Sequence, residues 1–580
     1  MSGTVGDSTG GSTGDAIGDS IGGSAGEELL RVEELLRVEE LRVGFGGRGA
    51  RRGPAVVDGV SFTLRAGRSL AIVGESGSGK SVTARSLVGL AGAGAWTSAS
   101  ALEVVGASVL GPVGADGIAR GLSAAAWRKL RGRAIGLVVQ DALVSLDPLR
   151  PIGREIGDAL RLHTPLSAAE RRARVLSLLE SVGMPDPASR VHQRSGELSG
   201  GLRQRALIAS ALAASPRLLI ADEPTTALDS TVQAQILALL EGVRDAGTGL
   251  LFISHDLAVV SRIADDVLVM RAGRVVESGP VAQVLGDPRH EYTKALLRAV
   301  PTGVPRGVAL SARPAPPAPP DPAVSGAPTG ASSSDPVLEV TGVSKRFGDR
   351  LAVDDVSLSL PAGTTLGLVG ESGSGKTTLA RIALGLAAPD TGAVRLDGLP
   401  WAPGPERDRR SRRPLVGAVY QDALSSFDPR MTVRQILADA LRGASAPRPV
   451  DELLDDVGLS PSLAGARPLE LSGGQRQRVS IARALAPSPR VIVLDEPVSA
   501  LDVSIQAQIL DLLDRLQREH GVAYLFISHD LGVVQHMSDT LAVMKDGRVL
   551  EQGRASAVFD NPAHPYTQAL LAAAPRIGPR

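Results

Sequence analysis

Eight residues, Gly74-Glu75-Ser76-Gly77-Ser78-Gly79-Lys80-Ser81, recur almost letter for letter as Gly370-Glu371-Ser372-Gly373-Ser374-Gly375-Lys376-Thr377. Both copies fit G-x-x-x-x-G-K-[ST], a spacing suited to cradling phosphate. The glycines let the backbone curl until consecutive N–H groups point inward at phosphate oxygens. The helical pattern after each copy adds the positive end of its dipole. Lys80 and Lys376 are then placed to reach β- and γ-phosphates, and Ser81 and Thr377 to offer a hydroxyl to Mg²⁺. A Gly-rich turn without a ligand is the plainer alternative. The apolar run before each copy (Leu70–Val73; Leu366–Val369), the helix after it and the duplication weigh against that. Only six of the 62 Lys and Arg residues are lysine, and two of the six stand here. Nucleotide binding at two places is the expectation.

Acids follow downstream. Leu218-Leu219-Ile220-Ala221 ends in Asp222-Glu223, and Val491-Ile492-Val493-Leu494 ends in Asp495-Glu496. A carboxylate at the end of a buried parallel strand lies at the edge where open α/β sheets bind ligands. Asp222 and Asp495 suit Mg²⁺ through its water shell. Glu223 and Glu496 could polarise the water that attacks a γ-phosphate. One such acid alone could equally cap the next helix; two copies, each downstream of a phosphate loop, favour chemistry. Leu198-Ser199-Gly200-Gly201-Leu202 and Leu471-Ser472-Gly473-Gly474-Gln475 each open an Arg-rich helix. Ser and two glycines at a helix start supply donors for phosphate oxygens, though S-G-G alone is more often a turn or cap.

These residues need a scaffold, and the repeat defines it. Lys80 matches Lys376 at an offset of 296, Gln140 matches Gln421 at 281, Asp222 matches Asp495 at 273, and His255 matches His529 at 274. The first half therefore carries extra residues, mainly in the Gly/Ala-rich stretch around 91–125. Strands alternate with helical patterns in each half, which predicts an α/β sheet wrapped by helices. The Leu/Arg/Glu/Ala-rich stretch between Gln140 and Ser199 reads as a helical insert. The reading divides the chain into a disordered tail at 1–26, nucleotide-binding domains at 27–300 and 336–580, and a Pro/Ala-rich linker at 301–335. The linker holds nine prolines, and its composition predicts a semi-rigid extended spacer. Glu27-Glu28-Leu29-Leu30-Arg31-Val32 recurs at Glu33–Val38 and partly at Glu39–Val43. Its six-residue period suits no coiled coil, and it reads as a functionless duplication ahead of the first strand, with a short amphipathic helix for a partner as the alternative.

Composition bounds the partners. At 580 residues the chain exceeds one hydrophobic core. Its net charge is zero, which gives no support for a nucleic-acid surface. It has no cysteine, which excludes disulfides and Cys-ligated zinc or iron–sulfur clusters. No apolar run reaches the ~18–20 residues of a membrane span, and no signal peptide opens the chain. A cytoplasmic protein that docks on a membrane through partners is expected.

The order of motifs resembles the ATP-binding-cassette (ABC) ATPases across both halves: phosphate loop, Gln140 or Gln421, L-S-G-G, acid pair, Ala-Leu-Asp (Ala227–Asp229; Ala500–Asp502), then His255 or His529. The resemblance implies two tandem P-loop NTPase domains of α/β class, each with a helical insert subdomain, paired head to tail. One ATP would then lie between Gly74–Ser81, with Gln140, Asp222, Glu223 and His255, and Ser472–Gln475 of the other cassette. The second would lie between Gly370–Thr377, with Gln421, Asp495, Glu496 and His529, and Ser199–Leu202. It further implies Glu223 and Glu496 as catalytic bases, His255 and His529 as γ-phosphate contacts, and Gln140 and Gln421 beside Mg²⁺ as links to the transported pathway. Phe45 and Phe347 fall where the family stacks an aromatic on adenine, with core packing as the alternative. Leu202 departs from the family's L-S-G-G-Q; both sites still keep Lys, Asp, Glu and His, and both are expected to hydrolyse ATP.

A last repeat narrows the branch. His290-Glu291-Tyr292-Thr293 and His564-Pro565-Tyr566-Thr567 each follow an Asp/Asn-Pro pair and open an amphipathic helix. They resemble the tails of dipeptide, oligopeptide, glutathione and nickel importer ATPases, as do Glu-Ser within both phosphate loops and Leu146-Asp147-Pro148 and Phe427-Asp428-Pro429. The resemblance implies an importer ATPase, peripheral on the cytoplasmic face of the cell membrane. It would work with two transmembrane permease subunits and, through them, an extracytoplasmic solute-binding protein. A soluble tandem-cassette ATPase acting on ribosomes or DNA is the alternative.

Overall fold

The computed structural model describes residues 33–46, 53–113, 119–140, 145–226, 228–311, 336–442, 448–499 and 501–575. The tail at 1–26 and residues 312–335 of the linker lie outside the described residues.

Each half is built on a six-stranded sheet of one topology. In the first, the order is Arg274–Pro280, Asp266–Arg271, Ser69–Val73, Gly249–Ile253, Leu218–Asp222, Ile135–Val138. In the second it is Arg548–Arg554, Thr540–Lys545, Thr365–Val369, Ala523–Ile527, Val491–Asp495, Val416–Val419. Only the outermost C-terminal strand of each sheet runs antiparallel. The central strands read as unbroken apolar runs because both faces are covered. Ala71, Val73, Leu219, Ala221, Leu250 and Phe252 pack into one core, while Leu70, Ile72, Leu218, Ile220, Leu251 and Ile253 pack into another on the opposite face. The α/β fold expected from the sequence is thus present in both halves.

The second face of each sheet is covered by an antiparallel sheet, in which Glu34–Phe45 pairs with Ala55–Arg65, and Pro336–Phe347 with Arg350–Pro361. The Glu-Leu-Arg-Val repeat does not precede the first strand, as the sequence suggested; its described copies are that strand. Leu35, Leu36, Val38, Leu41 and Val43 are all buried, and register shifts between Glu34 and Leu36 and between Val38 and Leu41 absorb spacings that a period of two does not fit. The Gly/Ala-rich excess of the first half also holds strands, Ala95–Ser98, Ala101–Val104, Ala107–Ser108, Leu110–Val113 and Ala119–Gly121.

The helical insert comprises Ile152–His163 and Ala168–Ser181 in the first half and Val433–Leu441 and Val450–Asp456 in the second. Ile152, Ile156 and Leu160 form its buried stripe at i, i+4, i+8. Ser167 with Glu170, and Thr432 with Gln435, close capping boxes at the helix starts.

The halves are interlocked at their tails. The tail helix Glu291–Arg298 packs on Val503–His520 of the other half, and Pro565–Ala573 packs on Ser230–Asp245. The chain then continues over the second half as an ordered strap. The Gly303 N–H donates to Gln535 Oε1 at 3.3 Å, and the N–H groups of Leu310 and Ser311 donate to the Asp511 carboxylate at 2.9 and 2.8 Å. Ala299 and Leu310 are buried within the second half's core.

Candidate nucleotide sites

Both phosphate loops connect the central strand of a sheet to a helix, Lys80–Ser86 and Lys376–Ala383. Gly74 and Gly370 have φ of 147° and 149°, and a Cβ would sit 2.2 Å from Met270 O and 2.0 Å from Met544 O. A side chain at either place would push the loop off the neighbouring strand. Lys80 is buried, with Nζ donating to Gly74 O at 2.6 Å and Glu75 O at 2.8 Å. Lys376 repeats this with Gly370 O and Glu371 O at 2.8 and 2.7 Å. Burial pushes both ammonium groups below their ordinary value, against the pull of nearby acids.

The parallel strands deliver the acids to the same edge. Ser81 Oγ donates to Asp222 Oδ1 at 2.9 Å, while Asp222 Oδ2 is buried without a hydrogen-bond partner. Burial pushes Asp222 and Asp495 upward. One hydroxyl and one buried carboxylate oxygen fit a hard divalent cation that keeps waters and takes its other oxygens from phosphate.

Glu223 and Glu496 have φ of 50° and 51°, a left-handed conformation that costs non-glycine residues energy and clusters at functional sites. Each carboxylate is held from two sides. Gln140 Nε2 donates to Glu223 Oε2 at 2.8 Å and Gln421 Nε2 to Glu496 Oε2 at 2.7 Å. His255 Nδ1 lies 3.3 Å from Glu223 Oε2, and His529 Nδ1 3.3 Å from Glu496 Oε1. Burial alone would raise the glutamates, but the histidine hydrogen bonds and charge outweigh it and hold both below the ordinary value. Burial likewise opposes protonation of the histidines, and the glutamates overcome it to raise them.

A pocket of about 460 Å³ at the second loop is lined by Phe347, Gly370, Ser372, Gly373, Gly375, Lys376, Thr377, Gln421, Glu496 and His529, so most of that predicted set converges. Phe347 is 55% exposed at its mouth, which rules against the core-packing alternative. Phe45 ends its strand half-buried, paired with Ala95. The other half contributes Asp229, whose Oδ2 accepts the Ser372 N–H at 3.1 Å. Ser199–Leu202, expected from the sequence to face this loop, do not line the pocket; the residue of the other half that borders it is Asp229. Between the halves, a cavity of about 560 Å³ is bordered by Ser254, His255, Asp256 and their counterparts Ser528, His529, Asp530.

The two signature helices differ at their starts. Gln475 Oε1 accepts the Ser472 N–H at 2.9 Å while Ser472 Oγ accepts the Gln475 N–H, a complete capping box. In the first half Ser199 Oγ accepts the Leu202 N–H at 3.4 Å, and the Leu202 side chain packs against the core instead.

Sequence reading left one pair of residues unassigned. The Tyr292 phenol oxygen accepts the Glu75 N–H at 3.0 Å, and that of Tyr566 accepts the Glu371 N–H at 3.2 Å. The repeated H-x-Y-T tetrad was the only signal that could have pointed to them.

Known proteins resemble this chain over most of its length. The family described as ABC transporter matches residues 57–226 and 353–499, and the family described as oligopeptide/dipeptide transporter, C-terminal region, matches residues 276–324 and 550–580. The peptidoglycan transport ATP-binding protein YejF of Agrobacterium fabrum is 44% identical, covering 89% of this chain and 92% of its own length. The glutathione import ATP-binding protein GsiA of Shigella flexneri is 43% identical over 90% of this chain and 87% of its own. The oligopeptide transport ATP-binding protein OppD of Mycobacterium tuberculosis is 42% identical over 90% and 96%.

Proposed function

Because the chain belongs to the ATP-binding proteins of ABC transporters and hydrolyses ATP, we propose that it powers uptake of peptides or a related small solute through two separate permease subunits. The observation that carries this reading is the pair of tails matching the oligopeptide/dipeptide transporter C-terminal region. The relatives' names, which include glutathione and oligopeptide transport, support the same solute class. Among the described residues no helix is long and apolar enough to cross a membrane, and in this reading the path for the solute is supplied by other chains. The protein would sit on the cytoplasmic face of the membrane, reaching a solute-binding protein through the permeases.

In this reading ATP draws each lysine from its loop carbonyls to phosphate oxygens, replacing neutral acceptors with anionic ones. Ser81 with Asp222, and Thr377 with Asp495, would hold Mg²⁺, which would neutralise phosphate charge. Ser199–Leu202 and Ser472–Gln475 close over the ATP held by the opposite cassette. Glu223 and Glu496 leave their glutamines to orient and deprotonate the attacking water. A protonated His255 or His529 donates from both ring nitrogens, one to its glutamate and one toward the γ-phosphate.

The test is purification of the tagged Glu223→Gln/Glu496→Gln variant from membranes in ATP, followed by mass spectrometry. Two polytopic permeases, with or without a solute-binding protein, are expected. Ribosomal proteins or nucleic acid without a membrane subunit would overturn the transport reading and leave the ATPase.

A further inference from the structure

Glu75, the second residue of the first phosphate loop, is bonded at both ends of its peptide framework. Its carbonyl accepts Lys80 Nζ at 2.8 Å and the Ser78 N–H at 3.1 Å, and its N–H donates to Tyr292 at 3.0 Å. Glu371 repeats the pattern, with Lys376 Nζ at 2.7 Å, the Ser374 N–H at 3.2 Å and Tyr566 at 3.2 Å. If phosphate draws the lysine away, as the proposed function has it, the serine N–H and the tyrosine hydroxyl are the ties among these that remain on residue two.

The tyrosines are themselves firmly seated. Glu277 accepts the Arg289 and His290 N–H groups at 2.7 and 3.1 Å, and His290 Nδ1 accepts the Tyr292 N–H at 3.1 Å. Glu551 and His564 do the same for the second tail, at 2.8, 3.0 and 3.0 Å. Arg271 lies 5.0 Å from the Tyr292 ring centroid and Lys545 4.6 Å from that of Tyr566. Burial raises both phenols, to about 12, so they stay protonated neutral acceptors at physiological pH.

We propose that Tyr292 and Tyr566 are positioning residues for ATP, each fixing the second residue of its own phosphate loop from the C-terminal tail, so that the seating of the tail sets nucleotide affinity. Each tail helix also packs on a long helix of the opposite cassette. The position of one cassette is therefore felt at the phosphate loop of the other through its tail. In the second loop the adjoining Ser372 N–H is held by Asp229 of the opposite cassette, so two consecutive amides are held by the two partners of one junction. The inference rests on ATP binding by the loops and not on the identity of the solute.

The test compares the full chain with Tyr292→Phe/Tyr566→Phe, which keeps the rings and their cation contacts but removes the accepting oxygen. Binding of a fluorescent ATP analogue, kcat and KM for ATP, and thermal unfolding are measured together. Loss of one hydrogen bond per site should raise the dissociation constant and KM by about two- to tenfold, with kcat held within about twofold. Unchanged affinity, or a loss in kcat as large as that in affinity, would overturn the proposal. Should the double variant fail to fold, Glu277→Gln/Glu551→Gln loosens the socket while keeping both tyrosines. That variant is expected to weaken ATP binding in the same direction, and wild-type affinity in it would count equally against the tail. A wild-type chain that binds no ATP would instead refute the nucleotide sites themselves.

Discussion

His255 and His529 couple the fold to pH through their glutamates. Their pKa values are raised from an ordinary 6.5, so their contribution to stability is complete below 6.5 and is lost as pH rises through the folded values. Glu223 and Glu496 are lowered from 4.5, so theirs is present above 4.5 and lost on the acid side. Nucleotide-free protein should therefore draw most on these pairs between 4.5 and 6.5. Its melting temperature should fall more steeply above 6.5 than that of His255→Ala/His529→Ala; parallel pH profiles would count against the pairing. In hydrolysis assays, Glu223→Gln and Glu496→Gln should each slow turnover, and the double variant should lose about 10²–10⁴-fold, the usual worth of a general base. Complete insensitivity to one substitution would mean that its site does not turn over. Lysines and acids could be paired in the sequence because each recurs in both halves beside a recognisable strand or loop, while the glutamines and histidines were singled out through the family resemblance; the structure sets each Gln and His against the glutamate of its own half. Tyr292 was not legible, because its partner is a backbone N–H 217 residues away, and a main-chain donor leaves no mark in the side-chain pattern.

The two signature helices start unequally, and that inequality can be tested. Leu202→Gln would supply the missing half of the capping box at the cost of a partly buried apolar contact. Since a cap is worth about 0.5–2 kcal/mol, the net change in unfolding free energy should stay within about 1 kcal/mol of zero. In a Glu223→Gln background, where the second site alone turns over, the same change should increase hydrolysis. An unaltered rate would show that the Gln side chain matters only to the helix start. The parallel strands were readable as continuous apolar runs. The first strand was not, since its bulges break the alternation that marks a half-buried strand. The strands between Ala95 and Gly121 were hidden by a Gly/Ala-rich composition with low β-propensity.

The two halves exchange tails, which makes each cassette part of the other's surroundings. The strap adds a one-way link, with Arg306 at its centre. Arg306 forms ion pairs with Asp539 and, at 3.8 Å, Asp514, and hydrogen bonds with Gln517 and, at 3.3 Å, Thr365. Arg306→Ala should destabilise the second half by about 1–3 kcal/mol in chemical denaturation. An unaltered second half would mean that the strap merely rests on its surface. Proline content signalled an extended segment, and nothing in it distinguished a free spacer from one laid along a protein surface. A gene divided at residue 336 would accordingly yield a second product lacking part of its own interior, because Leu310, supplied from upstream, is 3% exposed there. Co-expressed fragments meeting at 336 would have to find each other to complete that interior, whereas a product beginning at 299 would carry both Ala299 and Leu310 with it.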